Sequence, residues 1–259
     1  MSVSPEDLNR FRIHLMRQLH RHYVTVYVEI RDPKSDKEVM RSAYSAFLLQ
    51  HGEQWIVGGA GHCFEKVQYY IDRGYKTKRC YLIDSDDGRD PPVAFDWQMQ
   101  RPWIRHEKDA GIDFGALFLD NWTKRTLQAR NKAPILGAGP NLEPALCIAY
   151  GVPESTVTAK EEYLRATTMG FPLDPMSEPP ELSFEPKVPM FYGRLKPGAG
   201  SLDGVSGGPI FAFDQSGNGY WLHAIQSMTS GGNISVAPLL TSFLEMLGAE
   251  MEARASQKH

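Results

Sequence analysis

Cysteine is scarce in this chain: three of 259 residues, Cys63, Cys80 and Cys147. An odd count without CxxC spacing excludes a disulfide scaffold and argues against a structural zinc site. One bridge at most could form, and a reducing compartment suits such a chain better than an oxidising one. Long apolar runs are missing too. No stretch approaches the roughly 20 apolar residues of a membrane-spanning helix, and residues 1–12 are polar and charged, unlike a signal peptide. Nor is there an excess of positive charge: 28 Lys and Arg stand against 31 Asp and Glu, a net charge of −3. That disfavours an electrostatic grip on nucleic acid, which needs a basic domain or face. The expectation from these absences is a soluble, cytoplasmic protein that engages neither membrane nor nucleic acid.

What is present is ordinary globular material, 42% hydrophobic and 11% aromatic, enough for one large domain or two small ones. The N-terminus reads as a helix. Ser4 suits the N-cap, Pro5 the first helical position, and Glu6 and Asp7 the positive end of the dipole. Leu8, Phe11, Leu15 and Leu19 form one apolar stripe, and Arg10, Arg12, His14, Arg17, His20 and Arg21 occupy the other faces. Such a basic amphipathic helix could meet a membrane or an acidic partner. Docking on its own domain with a solvated basic face is the simpler reading.

Beyond this helix the period changes to that of strands. Residues 23–30 (YVTVYVEI) are β-branched and aromatic and end at the turn signal Asp32-Pro33. Residues 46–49 and 54–57 flank a hairpin turn at 51–53, and further short strands are expected at 80–84, 115–119, 145–149, 163–169, 209–213 and 220–227. Short strands with turn chemistry between them indicate a sandwich or barrel, not βαβ units. Residues 236–247 read as a C-terminal helix closed by Gly248. Two stretches read as irregular: the charged segment 84–109, with Asp86-Asp87-Gly88, and 171–197, a long surface loop holding seven prolines. Residues 121–134, polar and basic, are the candidate linker between two halves.

Three segments carry chemistry. His62 follows an apolar strand and four small residues, Asp113 interrupts an apolar run, and Ser206 sits between glycines in 203–211 (DGVSGGPIF). Taken singly, each has a plain structural reading: a satisfied histidine, a structural ion pair and a tight turn. Taken together they supply the parts of a nucleophilic site. A serine hydroxyl needs an imidazole to take its proton, and a buried carboxylate fixes the tautomer of that imidazole. With Gly204 and Gly207 relaxing the backbone, the amides of Gly204 and Ser206 can converge on one oxygen.

These segments resemble the motifs of the trypsin/chymotrypsin-like serine peptidases, in a disulfide-poor, bacterial or intracellular form. Trp55 with Gly61-His62-Cys63 resembles W…AAHC, residues 113–117 (DFGAL) resemble DIALL, and residues 204–209 (GVSGGP) resemble GDSGGP. His62, Asp113 and Ser206 fall in the family's order, 51 and 93 residues apart. Residues 225–228 resemble the strand beside the substrate, and 236–247 the closing helix. The GxSxG pattern of α/β-hydrolases also fits residues 204–208, but chain order rejects it, because only 53 residues follow Ser206 and the next segment is strand-like.

The resemblance implies an all-β fold of two six-stranded antiparallel β-barrels, with an added N-terminal helix and a C-terminal helix. The first barrel (23–120) would hold His62 and Asp113. After the linker (121–134), the second (135–248) would hold Ser206 and the closing helix; residues 1–22 would be the N-terminal helix and 249–259 a tail. It implies a serine endopeptidase acting on a protein or peptide substrate, with no metal or organic cofactor. Gly204 and Ser206 would form the oxyanion hole, and Gly200, Ser201, Gln226 and Ser227 the substrate pocket. With no carboxylate at Gly200, that pocket would admit an apolar or small polar side chain. Asp203 would stand near its mouth, and His223 is read as structural.

Three features depart from the family. Val205 replaces the Asp that a proteolytically released N-terminus would pair with, Cys63 has no cysteine partner on 42–49, and the N-terminal helix is extra. They leave open two other readings: a catalytically silent protease-fold scaffold, and a protease held by a regulatory partner on the N-terminal helix or the Pro-rich loop 171–197.

Overall fold

In the computed structural model the described residues are 5–84, 91–100, 102–140, 142–153, 156–159, 164–215 and 219–256, without the side chains of 5–9 and 11. Ser4, the Asp86-Asp87-Gly88 turn, and the Leu8 and Phe11 side chains therefore lie outside them.

Helix α1 (Pro5–His20) leads into a first sheet. Its strands are β1 (Tyr23–Arg31), β2 (Glu38–His51), β3 (Gln54–Gly59), β4 (Lys76–Ile83), β5 (Val93–Ala94), β6 (Trp103–Glu107) and β7 (Ile112–Phe118), with helix α2 (Gly61–Asp72) between β3 and β4. Their order is β5-β4-β1-β2-β3-β7-β6, and every pairing is antiparallel. After helix α3 (Asn121–Ala129) come β8 (Leu146–Gly151), β9 (Val157–Ala159), β10 (Leu164–Ala166), β11 (Met169–Pro175), β12 (Met190–Leu195), β13 (Pro209–Phe213), β14 (Tyr220–Ile225), β15 (Met228–Ser230) and β16 (Ile234–Pro238). Helix α4 (Leu240–Ser256) closes the order. The second sheet runs β14-β13-β8-β11-β12-β16-β15, with β9 and β10 as a separate ribbon. Each main sheet thus has seven strands, one more than a six-stranded barrel, because β5 and β15 add short edge strands.

The alternation in β1 builds both a core and a junction. Val24, Val26, Val28 and Ile30 enter the core of the first sheet with Leu48, Val57 and Leu117. Tyr23 and Tyr27 face the other way and join Leu19 of α1 with Ile148, Tyr150 and Phe211 of the second sheet. A second junction forms where Phe47, Ile56 and Phe114 meet Leu222, Ile225 and Phe243 of α4. The two sheets are therefore locked together by buried apolar contacts. All three cysteines are buried and unpaired. No helix among the described residues is long and apolar enough to cross a membrane.

Several local expectations change. The polar stretch 121–134 is not all loop: α3 forms there, capped by Asp120, whose Oδ1 accepts from Thr123 N at 2.7 Å. Only Thr123 and Leu127 of that helix are buried, so it shows little apolar stripe. The Pro-rich stretch 171–197 begins and ends in strands, β11 and β12, and Pro179, Pro180, Pro186 and Pro189 fall between them. The segment 84–109 holds β5, β6 and the fully buried Trp97. At the C-terminus, 236–238 belong to β16, and α4 runs through Gly248 to Ser256.

Candidate active site

His62 sits at the start of α2, not at the end of a strand. Gly61 makes that placement possible. A Cβ there would lie 2.7 Å from Phe114 O and 2.9 Å from Arg105 O, so only glycine lets the helix begin this close to β6 and β7. The helix has no side-chain cap from Ala60. Asp113 of β7 supplies the cap instead. Its Oδ1 accepts from His62 N at 2.7 Å, and its Oδ2 meets His62 Nδ1 at 2.8 Å. An anion at a helix N-terminus is favourable in itself, so one carboxylate both caps α2 and orients the imidazole. The Ser227 hydroxyl donates a third, short hydrogen bond to Asp113 Oδ2.

The electrostatics follow from these contacts. Burial alone would raise the Asp113 pKa. Its bonds to His62, with support from Ser227, reverse that and hold it below the ordinary carboxylate value. Burial also disfavours the His62 imidazolium, but Asp113 at one nitrogen and Cys63 at the other outweigh it and raise the pKa to about 10. The Cys63 sulfur lies 3.4 Å from His62 Nε2. A second imidazole, His106, stands with its ring centroid 5.9 Å from that of His62 and is paired with Glu65 at 2.6 Å. Its register partner on β7 is Asp113, which puts both side chains on one face of the sheet. No sequence motif singles out His106 or Glu65; the one signal is Glu65 three residues after His62, on the same helical face.

Ser206 arrives from the second sheet on a turn before β13. Gly204 (φ 83°) and Gly207 (φ 86°) are left-handed, and a Cβ on Gly207 would collide with Ser45 O. Val205 is fully buried beside Ala149, Phe171 and Ile210, so apolar packing anchors the turn where the resemblance has a charged residue. The N–H groups of Val205, Gly207 and Gly208 bond to Leu202 O, Gln226 O and Val205 O. Those of Gly204 and Ser206 have no hydrogen bond among the described residues. The Ser206 hydroxyl donates to Ser227 O at 3.2 Å. Asp113, which holds His62, and Ser206 therefore both bond to Ser227, while His62 and Ser206 are not bonded to each other.

No family model matches the chain, and no curated protein is similar to it. Solved structures are. One is a thermostable serine protease, AL20, from an extremophilic microorganism: TM-score 0.51, 16% identity, covering 85% of this chain and 92% of that one. Another is the protease Anisep from Arthrobacter nicotinovorans: TM-score 0.53, 13% identity, covering 88% of this chain and 96% of that one. The fold is the chymotrypsin-like fold.

Within that fold the four pocket candidates separate. Gly200 (φ 92°) is exposed, with the Phe171 ring 3.8 Å from where a side chain would begin. Ser201 is exposed, and its hydroxyl accepts from Asp203 N at 3.1 Å. Gln226 is buried; its amide donates to Met228 O at 3.0 Å and accepts from Ser235 at 2.5 Å. Ser227 is buried, with its hydroxyl on Asp113 and its carbonyl oxygen on the Ser206 hydroxyl. Ser235 is a buried partner that no sequence motif marks. His223 is half-buried, edge-on to Phe191 at 5.3 Å, and burial lowers its pKa. No cluster of three or more His, Cys, Asp or Glu among the described residues could hold a metal ion.

Proposed function

We propose that the chain is a serine endopeptidase acting on protein or peptide substrates. In this reading Ser206 attacks the scissile carbonyl, His62 takes the serine proton and returns it to the leaving amine, and Asp113 holds His62 in the working tautomer. The negative charge that develops on the carbonyl oxygen is held by the amides of Gly204 and Ser206. The observation that carries the reading is the buried Asp113 carboxylate, bonded at once to the ring and backbone of His62 and to Ser227, whose carbonyl holds Ser206. The unbonded amides of Gly204 and Ser206 support the oxyanion role. Gly200 and Ser201 would lie at the base of the specificity pocket, with Gln226 in its wall. A reducing, cytoplasmic setting suits the three buried, unpaired thiols.

A second reading, a silent protease-fold scaffold, draws on one specific feature. His62 Nε2 faces Cys63 and the Ser206 hydroxyl faces Ser227 O, so neither holds the other. Catalytic hydrogen bonds are often made only once substrate is bound, so the endopeptidase reading needs a rotation of Ser206 away from Ser227 O. A fluorophosphonate probe separates the two readings. Covalent labelling of the wild type and none of Ser206→Ala is expected; an unlabelled wild type would favour the scaffold.

A further inference from the structure

The seam between the two sheets is not wholly apolar. Ser45 of β2 is 1% exposed, and its register partner on β1 is the equally buried Thr25. Ser45 Oγ accepts from Val152 N, the residue after β8, at 2.9 Å, and from the Tyr23 hydroxyl at 3.3 Å. The Tyr23 hydroxyl is in turn 2.9 Å from Thr25 Oγ1. A short buried polar chain therefore crosses from β1 and β2 of the first sheet to the end of β8 in the second. Apolar contact has no direction, whereas a hydrogen bond has both a direction and a length. In a buried setting it is costly to leave unmade, so it fixes the separation of the strands it joins.

Four glycines bring backbone against this one serine. A Cβ on Gly207 would collide with Ser45 O, and one on Gly208 would lie 3.3 Å from Ser45 Cβ. On Gly151, the last residue of β8, a Cβ would lie 2.5 Å from Ser45 Oγ and 2.8 Å from Val205 Cγ1. On Gly59, the last residue of β3, it would lie 3.5 Å from Ser45 O. The Cβ that Gly207 lacks would also meet Ala60 N at 3.0 Å and Gly59 Cα at 3.5 Å. The turn that carries Ser206 thus rests on the segment leading into α2 and His62, and Ser45 lies against both.

We propose that Ser45 is a positioning residue, which ties the end of β8 to β2 and thereby sets how far Ser206 stands from His62. The inference rests on the endopeptidase reading of that pair. His62 and Ser206 come from different sheets and bond to other groups, so their separation is set by how the sheets join. Reaction rate is sensitive to such a separation: misplacing reacting groups by about 1 Å costs roughly 100-fold. Without the Ser45 hydroxyl, Val152 N would lose its partner in a buried place. The end of β8 would then shift toward another acceptor, and Val205 of the serine turn, which packs close to Gly151, would shift with it.

The test is the rate of fluorophosphonate labelling over a range of probe concentrations, which separates the limiting rate from the half-saturating concentration. Circular dichroism gives the folded fraction, and rates are taken per folded molecule. Ser45→Ala should lower the limiting rate about 10-fold or more and leave the half-saturating concentration within about 2-fold of wild type. Val28→Ala empties space in the core of the first sheet, away from Ser45, and should lower the melting temperature while keeping the limiting rate. Tyr23→Phe removes only the second donor to Ser45 and should slow labelling by about 2-fold or more. A wild-type limiting rate in Ser45→Ala would overturn the inference, as would equal slowing by Val28→Ala or an effect confined to the half-saturating concentration. Should Ser45→Ala not fold, Tyr23→Phe decides, and a wild-type rate there would overturn it. An unlabelled wild type would instead overturn the endopeptidase reading, and this inference with it.

Discussion

The two halves of the candidate site are built in opposite ways. On the first sheet, His62 and Asp113 are over-determined: the carboxylate is nearly fully buried, accepts three hydrogen bonds and caps a helix. On the second, the Ser206 turn is fixed by packing of Val205 and by glycine backbone, while two amides remain unspent and the hydroxyl rests on a carbonyl. A buried charge must be completely satisfied to be tolerated at all. A partly exposed turn carries no such demand, so unspent donors can persist there.

Three changes would break or sharpen this contrast, from the largest effect to the smallest. Asp113→Asn attacks the over-determined half. It removes the charge from a buried pair, and losses of about 3–5 kcal/mol in stability and roughly 10⁴-fold in fluorophosphonate labelling rate are expected. Chemical denaturation and labelling kinetics measure the two. A variant as stable as wild type would mean that the carboxylate is not the keystone of that half.

Cys63→Ala acts on His62 from within the first half. Cys63 helps to raise the His62 pKa, so its removal should lower that pKa. Labelling needs neutral His62 and rises with pH through that pKa, so the midpoint of its pH profile should move to lower pH. An unmoved midpoint would mean that the thiol contact does not govern His62. The same elevation has a stability consequence of defined sign. The contribution of protonated His62 is fully present below its unfolded value of 6.5 and is lost as pH rises through about 10.

Gly204→Ala probes the second half alone. It places a side chain at φ 83° and should cost about 1 kcal/mol in stability, with labelling slowed by more than that loss of folded protein accounts for. Slower labelling without a change in melting temperature would place the effect on the amide and not on the turn.

The legible parts of the molecule share a physical basis. β1 can be read because alternating β-branched and aromatic residues are the direct signature of a strand buried on both faces. The hairpin at 51–53 forms as expected, with His51 opposite Gln54. Helix α2 is hidden because Gly61-His62-Cys63 looks like the end of a strand; its start is stabilised by Asp113, 51 residues away from His62. Helix α3 is hidden because a surface helix capped by Asp120 needs few apolar residues. The bond from the Ser227 hydroxyl to Asp113 is hidden too, since the direction of a hydroxyl depends on which neighbour is a buried carboxylate.

The sequence by itself determined the local alternation, the glycines that permit left-handed turns, the ordered spacing of His62, Asp113 and Ser206, and the scarcity of thiols. These depend on residue type and short-range sterics, which the chain carries everywhere. Only the tertiary structure decided that Asp113 caps α2, that Ser227 ties Asp113 to Ser206, and that Cys63 and His106 flank His62. Most of these join residues far apart in the chain. Such contacts are fixed by how buried charges and apolar faces are satisfied in the packed whole, which no local pattern encodes.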